Sequence, residues 1–290
     1  MLKYRVLLVK GRRMPAPKSI GADKLARLVG TSSAPAIVDV RPPEDFAELP
    51  RLVPCSRRRS HDEVSRWAAE LHGRSAVIVC RTGSALSHGV AAWLRHAGVA
   101  AEVLEGGTSA WAAAGLPMVA EDRLPPRDEE GRTLWVTRSR PKVDRIACPW
   151  LIRRFVDPDA VFLFVAPSEV AGVAERFAAA PFDTEGAYWS HRGELCTFDV
   201  MVEEFGLAAS EPLRRLAAIV RGADTARLEL APQAAGLLAV SLGLSRVHSD
   251  DLEQLEAGMI VYDALYRWCR DAVDERHDWS SHQSKVGTSA

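Results

Sequence analysis

The sequence predicts an α/β domain followed by a second, mostly helical (α+β) domain. The apolar run over residues 77–79 is typical of a buried strand, and it ends at Cys80. A short loop then leads to a predicted helix over residues 87–96, where apolar side chains recur at helical spacing. Polar residues 121–132 with two adjacent prolines indicate a linker, and long stretches with helical spacing follow it.

The length of 290 residues suits two domains of ordinary size. We expect a first domain over residues 1–120, a linker over 121–133, a second domain over 134–279 and a disordered tail over 280–290. The first 120 residues hold 17 Lys+Arg against 10 Asp+Glu, and the remainder holds 20 against 28. This asymmetry favours docking of the halves on each other, and no nucleic-acid-binding module is visible.

Cysteine usage indicates a reducing compartment. The five cysteines are scattered, their number is odd and no CxxC pair occurs. Lys10 interrupts the short apolar run near the N-terminus, which therefore does not resemble a signal peptide. No apolar run reaches the length of a membrane span. We expect a cytoplasmic protein without membrane contact.

In the first half, the predicted elements alternate between strands and helices. In chain order they are a strand over residues 4–9, a helix over 23–29, a strand over 37–41, a helical turn over 42–46, an amphipathic helix over 63–71, and the strand and helix that flank Cys80.

The position of Cys80 predicts chemistry. Loop N–H groups and the positive end of a helix dipole converge beyond the end of such a strand, and they stabilise an anion. A thiolate placed there has a lowered pKa and acts as a nucleophile. The alternative is a buried, inert cysteine that ends a core strand.

The flanks of this cysteine carry a family resemblance. Asp39-Val40-Arg41 ends the earlier strand, and Gly106-Gly107-Thr108-Ser109-Ala110-Trp111 follows the helix and leads to Ala114-Gly115-Leu116-Pro117. Residues 19–119 thereby resemble the rhodanese family of sulfurtransferases. The resemblance implies a small α/β domain with a central parallel sheet and Cys80 as the sulfur carrier. It also implies an anion cradle formed by the active-site loop Arg81, Thr82, Gly83 and Ser84.

Two positions depart from the family's pattern. Many single-domain members carry arginine at the sixth loop position, where this chain has Ala85, so we expect poor turnover with thiosulfate. Residues 49–55 replace the family's Gly-His-Ile stretch and predict a remodelled rim. A tyrosine phosphatase needs arginine six residues after the cysteine. Leu86 stands at that position, so the spacing excludes a tyrosine phosphatase.

The second half begins with a strand over residues 135–137 and a basic segment. Asp144 or Cys148 is expected to cap a helix here, with Pro149 in its first turn. Further predicted elements are a strand over residues 161–165 and helices over 169–179, 212–221, 231–242 and 250–273, the last with Leu252, Leu255, Met259, Ile260 and Leu265 on its apolar face.

The basic segment is a candidate anion site. Six basic residues and one acid lie between positions 138 and 154, inside an otherwise acidic half. Arginine forks match tetrahedral oxyanions in pairs. The alternative is a set of surface salt bridges. The predicted anion-binding residues are Arg138, Arg140, Lys142, Arg145 and His191.

His191, Glu194 and Cys196 lie within six residues and are residue types that can bind a metal ion. Their spacing matches no zinc pattern, and hydrogen-bonding or core roles are favoured. We therefore predict no metal and no cofactor, while a metal-dependent C-terminal enzyme stays an alternative.

The C-terminal half also resembles a known family. Residues 137–152, His191 with Cys196-Thr197-Phe198, residues 219–224 and residues 262–266 are similar to the C-terminal domain of chromate-resistance proteins, including chromate-responsive repressors. The resemblance implies a role in oxyanion stress. Those repressors have a DNA-binding domain ahead of this one, so transcriptional regulation is not transferred to this chain.

Together these features predict a sulfurtransferase that forms a cysteine persulfide, coupled to an oxyanion-responsive domain in chromate resistance. Its expected partners are a small-molecule or protein sulfur donor and acceptor, and chromate or a sulfate-like anion. The alternative is a non-catalytic oxyanion sensor whose rhodanese-like domain binds a partner.

Overall fold

A computed structural model of the protein describes residues 18–275. The strand expected over residues 4–9 and the tail expected over 280–290 lie outside this range. None of the helices in residues 18–275 is long and apolar enough to cross a membrane.

The N-terminal half is built around a five-stranded parallel sheet, which confirms the predicted α/β fold. The strands of this half are β1 (Ser19–Ile20), β2 (Ala36–Asp39), β3 (Arg51–Leu52), β4 (Ser56–Arg58), β5 (Ser75–Val79), β6 (Ala100–Leu104) and β7 (Val119–Ala120). The strands of the parallel sheet follow the order β1-β6-β5-β2-β4. The central strands β2 and β5 are almost wholly buried, as their continuous apolar runs predict. The helices are α1 (Ala22–Leu28), α2 (Pro43–Glu48), α3 (Val64–Trp67), α4 (Ala85–His96) and α5 (Gly107–Ala113).

A buried ion pair holds the rim beyond β2. The guanidinium of Arg41 contacts the Asp39 carboxylate at 2.6 Å, and both side chains are fully buried. Arg41 also donates to the carbonyls of Leu49 and Arg51 at 2.9 and 2.7 Å. These bonds order the segment into β3, which pairs antiparallel with β7.

The C-terminal half is mostly helical, as predicted, and it carries a three-stranded parallel sheet. Its strands are β8 (Leu134–Arg138), β9 (Val161–Val165) and β10 (Ala180–Pro181), in the order β10-β8-β9. The helices are α6 (Asp144–Leu151), α7 (Val170–Phe177), α8 (Thr197–Glu204), α9 (Glu211–Asp224), α10 (Ala234–Val247) and α11 (Asp251–Asp271).

Three details of this half differ from the sequence prediction. Pro149 lies in the interior of α6 and not in its first turn, because the helix begins earlier, at Asp144. Helix α8 was not predicted. On α11, Leu252 and Ile260 are exposed, and the buried face instead includes Gln254, Gly258, Tyr262 and Tyr266.

The two halves share one apolar core. Buried residues of β2, β5 and α5 belong to the same cluster as residues of α6, α8, α9 and α11. Gly30 faces Phe155 and Tyr266 so closely that an added Cβ would lie 2.4 Å from Phe155 Cζ. The Cys55 N–H donates to the Phe155 carbonyl at 2.8 Å, and the Cys55 thiol donates to the Arg154 carbonyl at 2.6 Å.

The segment expected to be a linker is folded. It contains a 3-10 turn over Glu121–Arg123 and a bridge between Arg127 and Thr133. The Thr133 N–H donates to Asp157 at 2.6 Å, and Arg57 of the first half approaches the same carboxylate. The predicted domain boundaries stay a prediction, but the segment is part of the contact between the halves.

Candidate functional site

Cys80 stands directly after β5, at the carboxyl end of the central sheet. The loop over residues 81–84 follows, and α4 begins at Ala85, two residues before the predicted start. This shift places Ser87 in the first turn of α4, where its side chain reaches the cysteine.

Hydrogen bonding at the thiol favours the thiolate. The Cys80 thiol donates to Ser87 Oγ at 3.1 Å, and the Ser87 hydroxyl in turn donates to the Ser84 carbonyl at 3.0 Å. Burial raises the pKa of the Cys80 thiol. When Cys80 ionises, the Ser87 hydroxyl turns from the Ser84 carbonyl to donate to the sulfur. This bond and those from the N–H groups of Ser84, Ser87 and Thr82 outweigh the effect of burial. The net effect is a pKa below its ordinary value.

The N-terminus of α5 fixes this loop in place. The N–H groups of Thr108 and Ser109 donate to the carbonyls of Cys80 and Arg81, both at 3.0 Å. Gly107 has φ +58°, and a Cβ there would lie 2.2 Å from the Cys80 carbonyl oxygen. The glycine is therefore required for the close approach between helix and loop.

The predicted loop residues contribute mainly through their backbone. The Arg81 guanidinium turns to α2, where it pairs with Asp45 at 3.2 Å and Glu48 at 3.1 Å. The Thr82 hydroxyl donates to Ser84 Oγ at 2.9 Å. Gly83 packs against the Leu104 carbonyl, at a φ of +65°.

Ala85 lines a cleft of about 370 Å³ between α4 and residues 61–65, and none of residues 80–84 lines this cleft. Its lining has no arginine or lysine among residues 18–275. The cleft is lined by Ala85, Leu86, Gly89, Val90 and Trp93 of α4 and by His61, Asp62, Val64 and Ser65. An anionic donor would find no strong cation on this side.

A second cluster lies in the C-terminal half, around His191. Its Nε2 atom is 3.1 Å from Asp224, 3.5 Å from Asp183 and 3.6 Å from Asp144. The four residues come from the first residue of α6, the last residue of α9 and the loops between β10 and α8. Hydrogen bonds to Asp183 and Asp224 raise the pKa of His191 to about 10 and outweigh the lowering by burial, so the imidazole is protonated at neutral pH.

Asp144 is the most deeply placed acid of this cluster. It is fully buried, and its Oδ2 accepts from the N–H groups of Thr197 at 2.6 Å and Phe198 at 3.4 Å. It therefore caps α8 and not its own helix. Its Oδ1 has no hydrogen-bond partner in the described part of the chain. Burial, with the neighbouring carboxylates of Asp224 and Asp183, raises the pKa of Asp144 well above its ordinary value.

The backbone before α6 is strained. Val143 has φ +39°, which is rare for a β-branched residue. Its N–H donates to Ser241 Oγ at 2.9 Å, and its carbonyl accepts from the Tyr262 hydroxyl at 3.0 Å. Such conformations persist where surrounding contacts fix them, and they concentrate at functional sites.

The five predicted anion-binding residues do not form one group. Arg138 and Arg145 both approach Asp183 Oδ2 at 3.2 Å, beside His191. Arg140 instead donates to the Ser245 carbonyl at 2.6 Å, and Lys142 is exposed. Burial raises the pKa of Asp183. Hydrogen bonds from His191 and Thr197 and the charges of the two arginines lower it by more, so the net pKa of Asp183 is below its ordinary value and the carboxylate is ionised.

Glu194 lies outside the His191 cluster, whereas Cys196 lies beside Asp144, the buried acid of the cluster. Glu194 is exposed and pairs with Arg227 at 3.0 Å. Cys196 is buried, and its thiol lies 3.2 Å from Asp199, with which it caps α8. Burial, followed by the charges of Asp144 and Asp199, raises the pKa of Cys196.

The sequence did not indicate a site role for four residues, Ser87, Asp144, Asp183 and Asp224. Ser87 lies seven residues after Cys80, a distance that fits the first helical turn beyond the loop. Asp144 was expected only as a helix cap. Asp224 ends the run over residues 219–224 that resembles chromate-resistance proteins, and its carboxylate was a signal of a site there. Asp183 carries no local signal, since it stands alone in an irregular segment.

Each half of the chain matches the model of a known protein family. Residues 21–114 match the family model of the rhodanese-like domain, and residues 135–269 match that of the ChrB C-terminal domain. Protein ChrB of Cupriavidus metallidurans is 35% identical over 161 residues, which are 52% of this chain and 46% of that protein. The match thus spans about half the length of this relative.

Solved structures also align with the N-terminal half. A rhodanese-like domain protein from Staphylococcus aureus is 30% identical, with 32% of this chain and 90% of that chain covered and a TM-score of 0.30. A thiosulfate sulfurtransferase from Pseudomonas aeruginosa is 26% identical, with 37% and 20% covered and a TM-score of 0.30. From the two family matches, this chain consists of a rhodanese-like domain followed by a ChrB C-terminal domain.

Proposed function

We propose that the N-terminal half is a sulfurtransferase that carries sulfur as a persulfide on Cys80. One observation supports this above the rest: Cys80 alone among the five cysteines has a lowered pKa. Burial raises the pKa of the other four thiols, Cys55, Cys148, Cys196 and Cys269. Nucleophilic reactivity follows thiolate character, so sulfur chemistry is concentrated at one thiol.

The transfer step needs no external oxidant. The Cys80 thiolate attacks the outer sulfur of a donor R–S–SH, a new S–S bond forms at Cys80, and the donor's S–S bond breaks to release R–S⁻. The outer sulfur keeps its proton until the loop N–H groups stabilise its anion. An acceptor thiolate, from a small molecule or a protein, then removes that sulfur and returns Cys80 as thiolate.

The sixth loop position favours a thiol persulfide over thiosulfate as donor. It is Ala85 here, where many single-domain rhodanese-like proteins carry arginine. Thiosulfate is a dianion and would bind without an arginine partner at this position. We expect a persulfide of a small thiol to react faster than thiosulfate.

Mass spectrometry of the full chain tests this proposal. After treatment with a thiol persulfide, the peptide containing Cys80 should gain about 32 Da, the mass of one sulfur on a nucleophilic thiol. Cys80→Ser should lose the adduct, and Cys269→Ser, which removes a thiol of raised pKa, should keep it. An adduct of equal yield on Cys80→Ser rejects the assignment.

A second candidate function, oxyanion binding, belongs to the C-terminal half. The guanidinium groups of Arg138 and Arg145 both reach the same oxygen of Asp183 at 3.2 Å, and the Arg138 side chain is exposed. Two neighbouring arginine forks suit a tetrahedral dianion such as chromate or sulfate, which would compete with the Asp183 carboxylate for their donors. His191, protonated beside them, adds a third positive charge.

Calorimetry with sulfate and chromate on the full chain tests this second function. The Arg138→Ala, Arg145→Ala double variant should lose affinity by about tenfold or more, because each charged hydrogen bond contributes about 1.5–3 kcal/mol. Lys142→Ala is the matched control and should bind as the parent does. Equal affinity in the double variant rejects the arginine site.

We further propose that the two activities act together in chromate resistance. Protection of a chromate-sensitive cell distinguishes this from the alternative, a non-catalytic oxyanion sensor or binding module. The parent protein should protect, and Cys80→Ser should protect less. If Cys80→Ser protects fully, sulfur transfer has no part in tolerance and the sensor is the better description.

A further inference from the structure

We propose that Asp144, His191 and Asp224 form a binding site for a divalent first-row transition-metal ion. One ligand atom from each residue lies within 4.8 Å of the other two. The three residues are far apart in sequence and come from separate elements, so no local zinc pattern announces them. The site shares only His191 with the combination of His191, Glu194 and Cys196, for which the sequence favoured hydrogen-bonding or core roles.

The donor atoms lie close to the spacing of ligands around one ion. Zn²⁺ binds imidazole nitrogen and carboxylate oxygen at about 2.0–2.2 Å, so two ligands at about 90–110° stand about 3.0–3.5 Å apart. His191 Nε2 lies 3.1 Å from Asp224 Oδ2, within this range, and 3.6 Å from Asp144 Oδ2, slightly beyond it. All three ligand atoms lie within 4.8 Å of one another, so a bound ion would draw the two carboxylates closer together.

An independent feature points to a ligand for Asp144. The carboxylate is fully buried, and its Oδ1 is without a hydrogen-bond partner in residues 18–275. An unpaired buried carboxylate oxygen carries a large desolvation cost. A cation bound to this carboxylate removes that cost, and it replaces the proton on His191 as the partner of both acids.

Charge and access agree with an ion at this point. Asp183, the remaining acid beside His191, is already balanced by Arg138 and Arg145, which leaves Asp144 and Asp224 for a dication. One imidazole with two carboxylates suits Zn²⁺, Mn²⁺ or Fe²⁺. The His191 side chain is 40% exposed, so the ion would keep coordination positions open to solvent.

Co²⁺ titration of the full chain, purified and freed of metal with a chelator, tests the proposal. Co²⁺ is a spectroscopic stand-in for Zn²⁺, and its visible absorption reports inner-sphere nitrogen and oxygen ligands. Saturation with a single ion is expected, followed by displacement with Zn²⁺. Asp224→Asn and His191→Ala should each weaken Co²⁺ binding by at least about tenfold.

His248→Ala is the matched control, because His248 is also half-buried beside an acid, Glu253, in the same half. It should bind Co²⁺ as the parent does. Circular dichroism of each variant without metal verifies folding. The proposal is overturned if the parent shows no saturable Co²⁺ spectrum, or if Asp224→Asn binds as tightly as the parent.

The same variants separate this site from oxyanion binding. Asp224 is an acid and gives no hydrogen bond to an oxyanion, so Asp224→Asn should not weaken sulfate binding in metal-free protein. The Arg138→Ala, Arg145→Ala double variant should lose sulfate and still bind Co²⁺. Failure of one proposal therefore leaves the other measurable.

Discussion

Burial and hydrogen bonding act in opposite directions on the Cys80 thiol. Burial disfavours the thiolate, whereas the Ser87 hydroxyl and the N–H groups of Thr82, Ser84 and Ser87 stabilise it, and these bonds prevail. The balance depends on Ser87, since it is the one side chain among these donors. Ser87 is therefore the residue at which reactivity can be changed without altering the cysteine.

The first prediction concerns the pH dependence of Cys80 alkylation by iodoacetamide. The rate follows the thiolate fraction, so its midpoint should lie below the ordinary thiol pKa of about 8.5. Ser87→Ala should raise that midpoint and slow alkylation several-fold at neutral pH. Mass spectrometry of the Cys80 peptide, in samples quenched at successive times and pH values, measures the midpoint and the alkylation rate.

The linked effect on stability has a defined sign. Because the folded-state pKa of Cys80 is lowered, the thiolate's contribution to folding is complete above the unfolded thiol's pKa and disappears as pH falls through the folded value. The parent should gain stability over Cys80→Ala as pH rises through this window. Ser65→Ala, an exposed serine, should leave the alkylation profile unchanged, and a shift there would contradict the role of Ser87.

Residues were predictable from sequence where their role is local. Cys80 was identified because a strand, a cysteine, a glycine loop and a helix follow one another within 20 residues. Asp144, Asp183 and Asp224 meet around His191 only through tertiary packing, with about 40 residues between successive acids. No spacing rule covers such a convergence, and the arginines predicted to bind anions were seen without the acids that face them.

At the scale of elements, the contact between α5 and the cysteine loop is decisive. The N-terminal N–H groups of α5 would otherwise lack partners, and the carbonyls of Cys80 and Arg81 accept from two of them. The helix thereby sets the direction of the loop's own N–H groups toward the thiol. Gly107 permits this approach, and any side chain would push the two apart.

The second prediction is that Gly107→Ala destabilises the fold and slows Cys80 alkylation. A Cβ 2.2 Å from the Cys80 carbonyl forces a backbone shift, and the positive φ adds about 1–2 kcal/mol of strain. Urea unfolding and iodoacetamide kinetics on the same preparation give the two effects.

Gly89→Ala supplies the control within α4. A Cβ at Gly89 has no neighbour within 4 Å, and the residue is inside a helix. Alanine there should stabilise by about 0.5–1 kcal/mol. If Gly107→Ala behaves like Gly89→Ala, the contact between α5 and the loop does not position the thiol.

Elements were predictable where a long periodic pattern exists. Strand β9 was predicted with its observed ends, and α9, α10 and α11 were found to within a few residues. Helix α8 was missed because the residues that cap its N-terminus are the unusual pair Cys196 and Asp199, together with Asp144 from across the chain. On α11, Leu252 and Ile260 fit an apolar stripe, yet packing buries the neighbouring face that carries Gly258 and two tyrosines.

At the scale of the molecule, the two halves are joined by apolar packing more than by opposite charge. Gly30 lies against Phe155 and Tyr266, and backbone bonds at Cys55 reach across the same contact. The third prediction is that Gly30→Ala destabilises the protein strongly. Its Cβ would lie 2.4 Å from Phe155 Cζ and 2.8 Å from Tyr266 Cε1.

Gly73→Ala separates the docking clash from backbone strain. Gly73 has φ +78°, almost the same as the +77° of Gly30, but a Cβ there meets nothing within 4 Å. It should cost only the strain of about 1–2 kcal/mol. Thermal unfolding of both variants should show a greater loss for Gly30→Ala, and equal losses would mean that the halves do not depend on this contact.

The fourth prediction concerns salt. Across the halves, Arg57 lies 2.8 Å from the exposed Asp159 and 3.5 Å from the buried Asp157. The exposed pair contributes about 0–1 kcal/mol, and salt screens the buried pair only weakly. Raising the ionic strength from 0.01 to 1 M shortens the Debye length from about 30 to 3 Å. Unfolding should stay a single transition with little change in midpoint. Separation into two transitions at high salt would show that charge holds the halves together.

The contact at Gly30 has a consequence for how such a protein can be assembled by gene fusion. Phe155 and Tyr266 of the second half both rest on bare backbone at Gly30. A different N-terminal module could take this place only if it presented an equally side-chain-free surface at the same point. Exchange of one half of this protein would therefore require a matching change at the position that receives the two rings.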